Sequence, residues 1–106
     1  MKFIYITCNV SMLEILTDLL SKTKFTDYQV IEQVEAVSRW GDPRRNTAVW
    51  PGYNSSIIIQ ESDELKINEL MSKINDINEA AFNNSELIAA YILNIEEHID
   101  IKPVDE

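Results

Sequence analysis

The chain has 106 residues, a length that predicts one domain over residues 1–106 with a real hydrophobic core. Its formal net charge of −9, from 18 acidic and 9 basic residues, argues against nucleic acid, because a polyphosphate partner needs a basic stripe able to displace counterions. A single cysteine excludes an internal disulfide, and the place of Cys8 inside an apolar run predicts a buried structural thiol rather than a reactive group or metal ligand.

The opening "MKFIYITCNV" has one lysine and a short apolar run that soon reaches Asn9 and Ser11. It reads as neither a signal peptide nor a membrane span, so a cytoplasmic protein that is not membrane-embedded is expected. Residues 2–9 are β-branched and aromatic and predict a strand. Ser11 and Glu14 form an S-x-x-E pattern that predicts a capped helix, its apolar face made by Met12, Leu13, Ile15, Leu16, Leu19 and Leu20, ending near Lys22 to Lys24. Residues 28–38, "YQVIEQVEAVS", place Val30, Val34 and Ala36 opposite Gln29, Gln33 and Glu35 and predict a half-exposed strand.

The segment "SRWGDPRRNTAVWPGYN", 38–54, interrupts this regularity. It holds both tryptophans, both glycines and all three arginines of the chain. "SSIIIQ", 55–60, then predicts a strand buried on both faces. Ser62 or Asp63 can cap a second helix, in which Ile67, Leu70, Met71, Ile74 and Ile77 or Asn78 follow the 3.6-residue period. "NEAAFNNSE" predicts its end, with Asn83 and Asn84 in a turn. "LIAAYILNI", 87–95, is long enough for a helix, but its β-branched and aromatic content and its Asn-Asn-Ser start favour a buried strand. The acidic tail "EEHIDIKPVDE" is expected to fray.

The order β-α-β-loop-β-α-β predicts an α+β, ferredoxin-like domain, a four-stranded antiparallel sheet with both helices on one face. Such a domain should show alternating strands, since only one sheet face is covered. "FIYI", "IIIQ" and "LIAAYIL" instead carry large apolar groups on both faces. A contiguous apolar face carrying Ile58, Ile92 and neighbours predicts a homo-oligomer of closed symmetry.

Within the loop, Arg39, Arg44 and Arg45 form a positive island in an acidic chain. Guanidinium groups fork onto carboxylates and phosphates, so the island either pairs with the chain's own Glu32, Glu35 and Asp42 or receives an anionic ligand or an acidic partner surface. Trp40 and Trp50 have the size and amphipathic character of interface anchors, with a core position as the alternative. Gly41 with Asp42 and Pro43, and Trp50 with Pro51 and Gly52, are turn chemistry bracketing "RRNTAV". Tyr53 closes the segment. His98 beside Glu97 and Asp100 reads as a solvated tail residue. No nucleophile-base-orienter set, no phosphate-cradling glycine loop and no metal-ligand spacing is present, so no catalytic or metal residues are assigned and an enzyme is not expected.

These features together resemble the nitrogen-regulatory PII signalling proteins and, more closely, their divergent PII-like relatives. The element order, the long loop between the second and third strands, and "TAVWPGYNSSIIIQ" (47–60) carry the likeness, because PII-like members often have a V-W-P-G-x-N run at the end of that loop. The resemblance implies a homotrimer whose sheets face a central axis. It further implies adenine nucleotide (ATP, ADP or AMP) or a small anion bound at inter-subunit clefts, and a "T-loop" counterpart over residues 39–53 docking on a transporter, enzyme or regulator. Loop chemistry and this T-loop counterpart together make Arg39, Trp40, Gly41, Arg44, Arg45, Trp50 and Tyr53 the expected ligand- or partner-binding set. The chain departs from the nitrogen regulators in three places, one being their glycine-rich end of strand two, which is here "AVSRWGDPRR" with a single Gly. It has no Tyr-Lys-Gly-Ala-Glu-Tyr-type uridylylation motif, and "NEAAFNNSELIAA" has neither the glycines nor the lysine that precede the fourth strand there. The alternative carried forward is a trimer resembling the CutA divalent-ion tolerance proteins, which would rely on Cys8 and His98 as its soft ligands.

Overall fold

A computed structural model describes residues 1–35 and 53–104. The first strand, β1 (Lys2–Asn9), passes through a single 3-10 turn, Val10–Met12, into helix α1 (Leu13–Lys22). Strand β2 (Tyr28–Val34) follows, then β3 (Asn54–Glu61), α2 (Glu64–Glu79), a second 3-10 turn at Asn84–Glu86, and β4 (Ala89–Asn94). The strands form one antiparallel sheet in the order β2-β3-β1-β4. This is the expected βαββαβ arrangement, and β1 and β3 take the two central places.

The core lies on the helix side of the sheet. Ile4, Ile6 and Cys8 of β1 and Ile57 and Ile59 of β3 pack there with Leu16 and Leu20 of α1 and Ile67, Leu70 and Ile74 of α2 in one buried cluster. The helical period read from α2 is met at each of those positions. Cys8 is buried, as expected for a structural thiol.

Helix α1 starts differently from the S-x-x-E expectation. The Asn9 side chain accepts from the Ser11 amide at 2.9 Å and caps the 3-10 turn, while the α-helix proper begins after Met12 with no side-chain cap. An Asx turn at the strand end therefore competes successfully with the capping box, because Asn9 reaches the first free amide one turn earlier. At the other end Lys24 adopts φ 66°. The Phe25 amide bonds the Leu20 carbonyl at 2.9 Å and the Lys24 amide that of Ser21 at 3.1 Å, the paired bonds of a Schellman motif. This places Phe25 in the core with Leu20. Lys66 of α2 then donates to the Lys24 carbonyl at 3.0 Å and lies over the Phe25 ring, tying the start of one helix to the end of the other.

Helix α2 is capped by Asp63, whose carboxylate accepts from the Leu65 and Lys66 amides. Its last turn carries a second device. Asn78 accepts from the Ile88 amide at 2.8 Å and donates to the Ile88 carbonyl at 2.9 Å. The side-chain amide thus acts as a one-residue strand neighbour that closes the 79–87 turn and holds buried Ile88 at the head of β4. Asn78→Ala is expected to cost about 1–3 kcal/mol, the penalty for leaving buried backbone groups unpaired. Urea denaturation checks this, and an unchanged midpoint would show that the clamp contributes nothing.

Two expectations about the strands need correction. Residues 87–95 do not form a buried strand: β4 spans Ala89–Asn94 at a sheet edge, with Tyr91 57% and Leu93 58% exposed. β2, the opposite edge, is less covered than a half-exposed strand, since Val30 and Ile31 are both exposed. In both cases the apolar residues are there, but among the described residues nothing lies beyond an edge strand to bury them.

Candidate functional site: an uncharged sheet face and the polar root of the loop

Strand register assigns every sheet residue to a face, because directly paired residues point the same way. On the face away from the helices, Phe3 stands beside Leu93 and Gln60. Tyr5 stands beside Tyr91, Ile58 and, one strand further, Gln29; Thr7 stands beside Ala89, Ser56 and, one strand further, Ile31. Asn9 and Asn54 close the array. None of these residues carries a charge, in a chain of which 25% is Asp, Glu, Lys or Arg. Its middle is ordered by direct contacts. The Tyr5 and Tyr91 ring centroids lie 6.3 Å apart, and the Tyr5 hydroxyl pairs with Ser56 Oγ at 3.0 Å. The expected grouping of Ile58 with Ile92 is corrected here: Ile92 pairs with Ile4 and so lies on the helix side, whereas Ile58 shares the outer face with Tyr91.

One end of the sheet is polar. β1 finishes and β3 begins there, so Asn9, Asn54, Ser55 and Ser56 are all buried at the root of the 36–52 segment. Asn54 Nδ2 donates to Thr7 Oγ1 at 3.2 Å. Ser55 Oγ donates to the Glu32 carbonyl at 2.6 Å, fastening β2 close to the register shift between Ile31 and Val34. The Val10 amide donates to the Tyr53 carbonyl at 2.9 Å. The chain thus enters β3 on a fixed set of side-chain and backbone bonds. The polar start of that strand qualifies the expectation that 55–60 is a buried apolar strand, and the Asn-Ser-Ser run before the isoleucines is the sequence signal for it.

The turn between α2 and β4 sits at the same end, since Ala89 pairs with Thr7. The amides of Ser85 to Ile88 are taken up internally. The Asn83 side chain accepts from the Ser85 amide and hydroxyl, Glu86 and Leu87 donate to the Asn83 and Asn84 carbonyls, and the Ile88 amide meets Asn78. Such a turn offers a phosphate no glycine-type cradle.

Of the sequence-predicted set, Arg39, Trp40, Gly41, Arg44, Arg45 and Trp50 lie outside the described residues. Tyr53 is half-buried at the loop root, bonded through its carbonyl to Val10. His98 is exposed and lies 3.5 Å from Asp100. Cys8 lies near the loop end of β1, where it pairs with Ser55, whereas His98 follows Asn94, which pairs with Lys2 at the opposite end of that strand. They cannot ligate one ion in a protomer. Among the described residues no group of three or more His, Cys, Asp or Glu side chains is gathered where it could hold a metal, and no helix is long and apolar enough to cross a membrane.

The fold defined by this sheet and its two helices is the α+β, ferredoxin-like class, and the solved structures similar to it include PII-like proteins. A nitrogen regulatory PII-like protein, CPII from Thiomonas intermedia K12, bound to ADP, AMP and bicarbonate, superposes with a TM-score of 0.66 at 14% identity, over 91% of this chain and 88% of that one. Its apo form gives 0.58 at 16% identity, over 89% of each chain. A candidate PII-like signalling protein from Thermus thermophilus gives 0.62 at 18% identity, over 89% of this chain and 85% of that one. No family model and no curated protein matches the sequence. The chain has the PII-like fold, with sequence divergence too deep for the likeness to carry more than the fold.

Proposed function

We propose that this protein is a PII-like regulator, a single-domain cytoplasmic homotrimer that senses an adenine nucleotide or small anion and passes that state to a protein partner through residues 39–53. The observation that carries the reading is the uncharged outer face on a fold shared with a protein solved with ADP, AMP and bicarbonate. Copies that each carry nine negative charges repel one another, so association is favoured where an uncharged face excludes water. Association through that face would set the polar loop roots of neighbouring copies near one another, and the charge of Arg39, Arg44 and Arg45 is what assigns them to the anion.

The arginines then supply the positive charge that the α2–β4 turn lacks. Because that turn has no lysine or glycine and the amides of Ser85 to Ile88 are already bonded, the ligand's negative charge falls to the loop. This favours AMP, ADP or bicarbonate over a triphosphate. Regulation of a partner rather than catalysis is the reading the sequence supports, since the 39–53 segment carries positive charge for an anion and no nucleophile-base-orienter set. The metal-binding reading has no support from the positions of Cys8 and His98.

Titration calorimetry of the full chain with ATP, ADP, AMP and bicarbonate tests the ligand. Saturable heat with at least one of them is expected. Arg44→Ala with Arg45→Ala should weaken that binding about tenfold or more, since each lost charge-assisted bond contributes about 1.5–3 kcal/mol. No heat with any of the four would remove the ligand from the account, and binding indifferent to both substitutions would remove the arginines.

A further inference from the structure

β4 does not end the apolar pattern of the chain. Beyond it Ile99 and Ile101 are 98% and 91% exposed, the most solvated large aliphatic residues of the described chain, and they alternate with His98, Asp100 and Lys102. This is the period of a strand with one apolar side. Residues 95–104 form no strand in the protomer, although the Ile95 amide still extends the β1–β4 ladder by bonding the Met1 carbonyl at 3.1 Å. The sheet has a matching open edge on its other side. Among the described residues β2 is paired on one side only, and Ile31 on its outer face is 43% exposed.

We propose that residues 98–102 of one protomer add as a fifth strand to the β2 edge of a second copy, setting Ile99 and Ile101 beside Ile31. Edge strands present unpaired amides and carbonyls to an incoming segment, so backbone bonds supply the affinity and alternate side chains the register. The apolar side of the tail then extends the uncharged outer face, while His98, Asp100 and Lys102 turn toward the charged helix side. Pro103 has no amide proton and ends the pairing.

Chain length requires that the acceptor be another copy. Reaching the far side of β2 from β4 means crossing four strand spacings, about 19 Å at roughly 4.8 Å each. The five residues from Asn94 to Ile99 span at most about 18 Å when fully extended. Ile31 lies further still, since it pairs with Ser56 near the loop end of the sheet while Asn94 pairs with Lys2 at the opposite end. A tail that pairs with β2 therefore pairs with a neighbour's. The inference draws on the sheet and tail alone and holds whether or not a ligand binds.

Two chains of distinguishable mass, one with Ile31→Cys and one with Ile99→Cys, are mixed and mildly oxidised; Cys8 is buried and does not compete. The expected result is a mixed disulfide-linked dimer as the main product. Absence of that mixed dimer, or closure of the bond within a single chain carrying both substitutions, would overturn the proposal. A chain truncated after Glu97 supplies the second readout. It should need at least tenfold higher concentration to assemble, with its far-ultraviolet circular dichroism unchanged. Assembly at the same concentration as the full chain would also overturn it.

Discussion

Leu93→Asp is expected to turn the assembled protein into a folded monomer. In the protomer Leu93 is 58% exposed on the edge strand β4, so a carboxylate there stays solvated and the isolated fold loses little. In an assembly built on the outer face the same carboxylate is buried among Phe3, Tyr91 and their counterparts with no cation in reach, because that face has none. Burying an uncompensated carboxylate costs several kcal/mol, and symmetry repeats the cost in every copy. The association constant should fall on the order of a thousandfold. Light scattering reads the mass and circular dichroism the fold. A Leu93→Asp protein that keeps its assembled mass would show that the outer face is not the interface.

The second large effect separates two neighbouring isoleucines. Ile57 is fully buried on the helix side against α1 and α2, whereas Ile58 is only half-buried and belongs to the outer face with Tyr5 and Gln29. Ile57→Ala removes buried methyl and methylene groups from a close-packed core and should destabilise the protomer by about 2–5 kcal/mol. Ile58→Ala should cost the protomer less than about 1 kcal/mol, and show its main effect as weaker assembly. Urea unfolding, run at a concentration where the protein is monomeric, distinguishes the two. Equal losses at both positions would contradict the assignment of faces.

The same isoleucines show what a sequence can and cannot convey. Three in succession announce a central strand with apolar groups on both sides, and β3 is that strand. Which cover lies on which side depends on register, which one residue of slip reverses. That is why Ile92 groups with Ile58 by composition although it faces the helices. β4 reads as buried because apolar content reports what a segment can bury, not what is beside it. The helix period of α2 and the Asp63 cap are legible because they depend on residues within one turn of each other. The Asn78 clamp on Ile88 is not, since a side chain that mimics a strand neighbour ten residues away leaves no periodic trace. Asn9 takes the capping role expected of Ser11 for a related reason: two local solutions compete to start the helical turn, Asn9 on the Ser11 amide and Ser11 on amides further along, and only geometry selects between them.

For the candidate site, "VWPGYN" points to the family fold, and Tyr53 does deliver the chain into β3. The buried Asn9, Asn54, Ser55 and Ser56 at the loop root are not legible in the same way. Polar residues beside a loop usually read as solvent-facing, and their burial comes from pairing between strands far apart in sequence. The arginines and tryptophans of residues 39–50 lie outside the described residues, so their part in recognition stands on charge and composition and on the variants proposed above.

In the proposed trimer the outer sheet face is the interface between copies. Light scattering of the unmodified full chain at tens of micromolar tests this most directly. It should return three times the protomer mass of 12.2 kDa; a mass that stays at 12.2 kDa would contradict the claim.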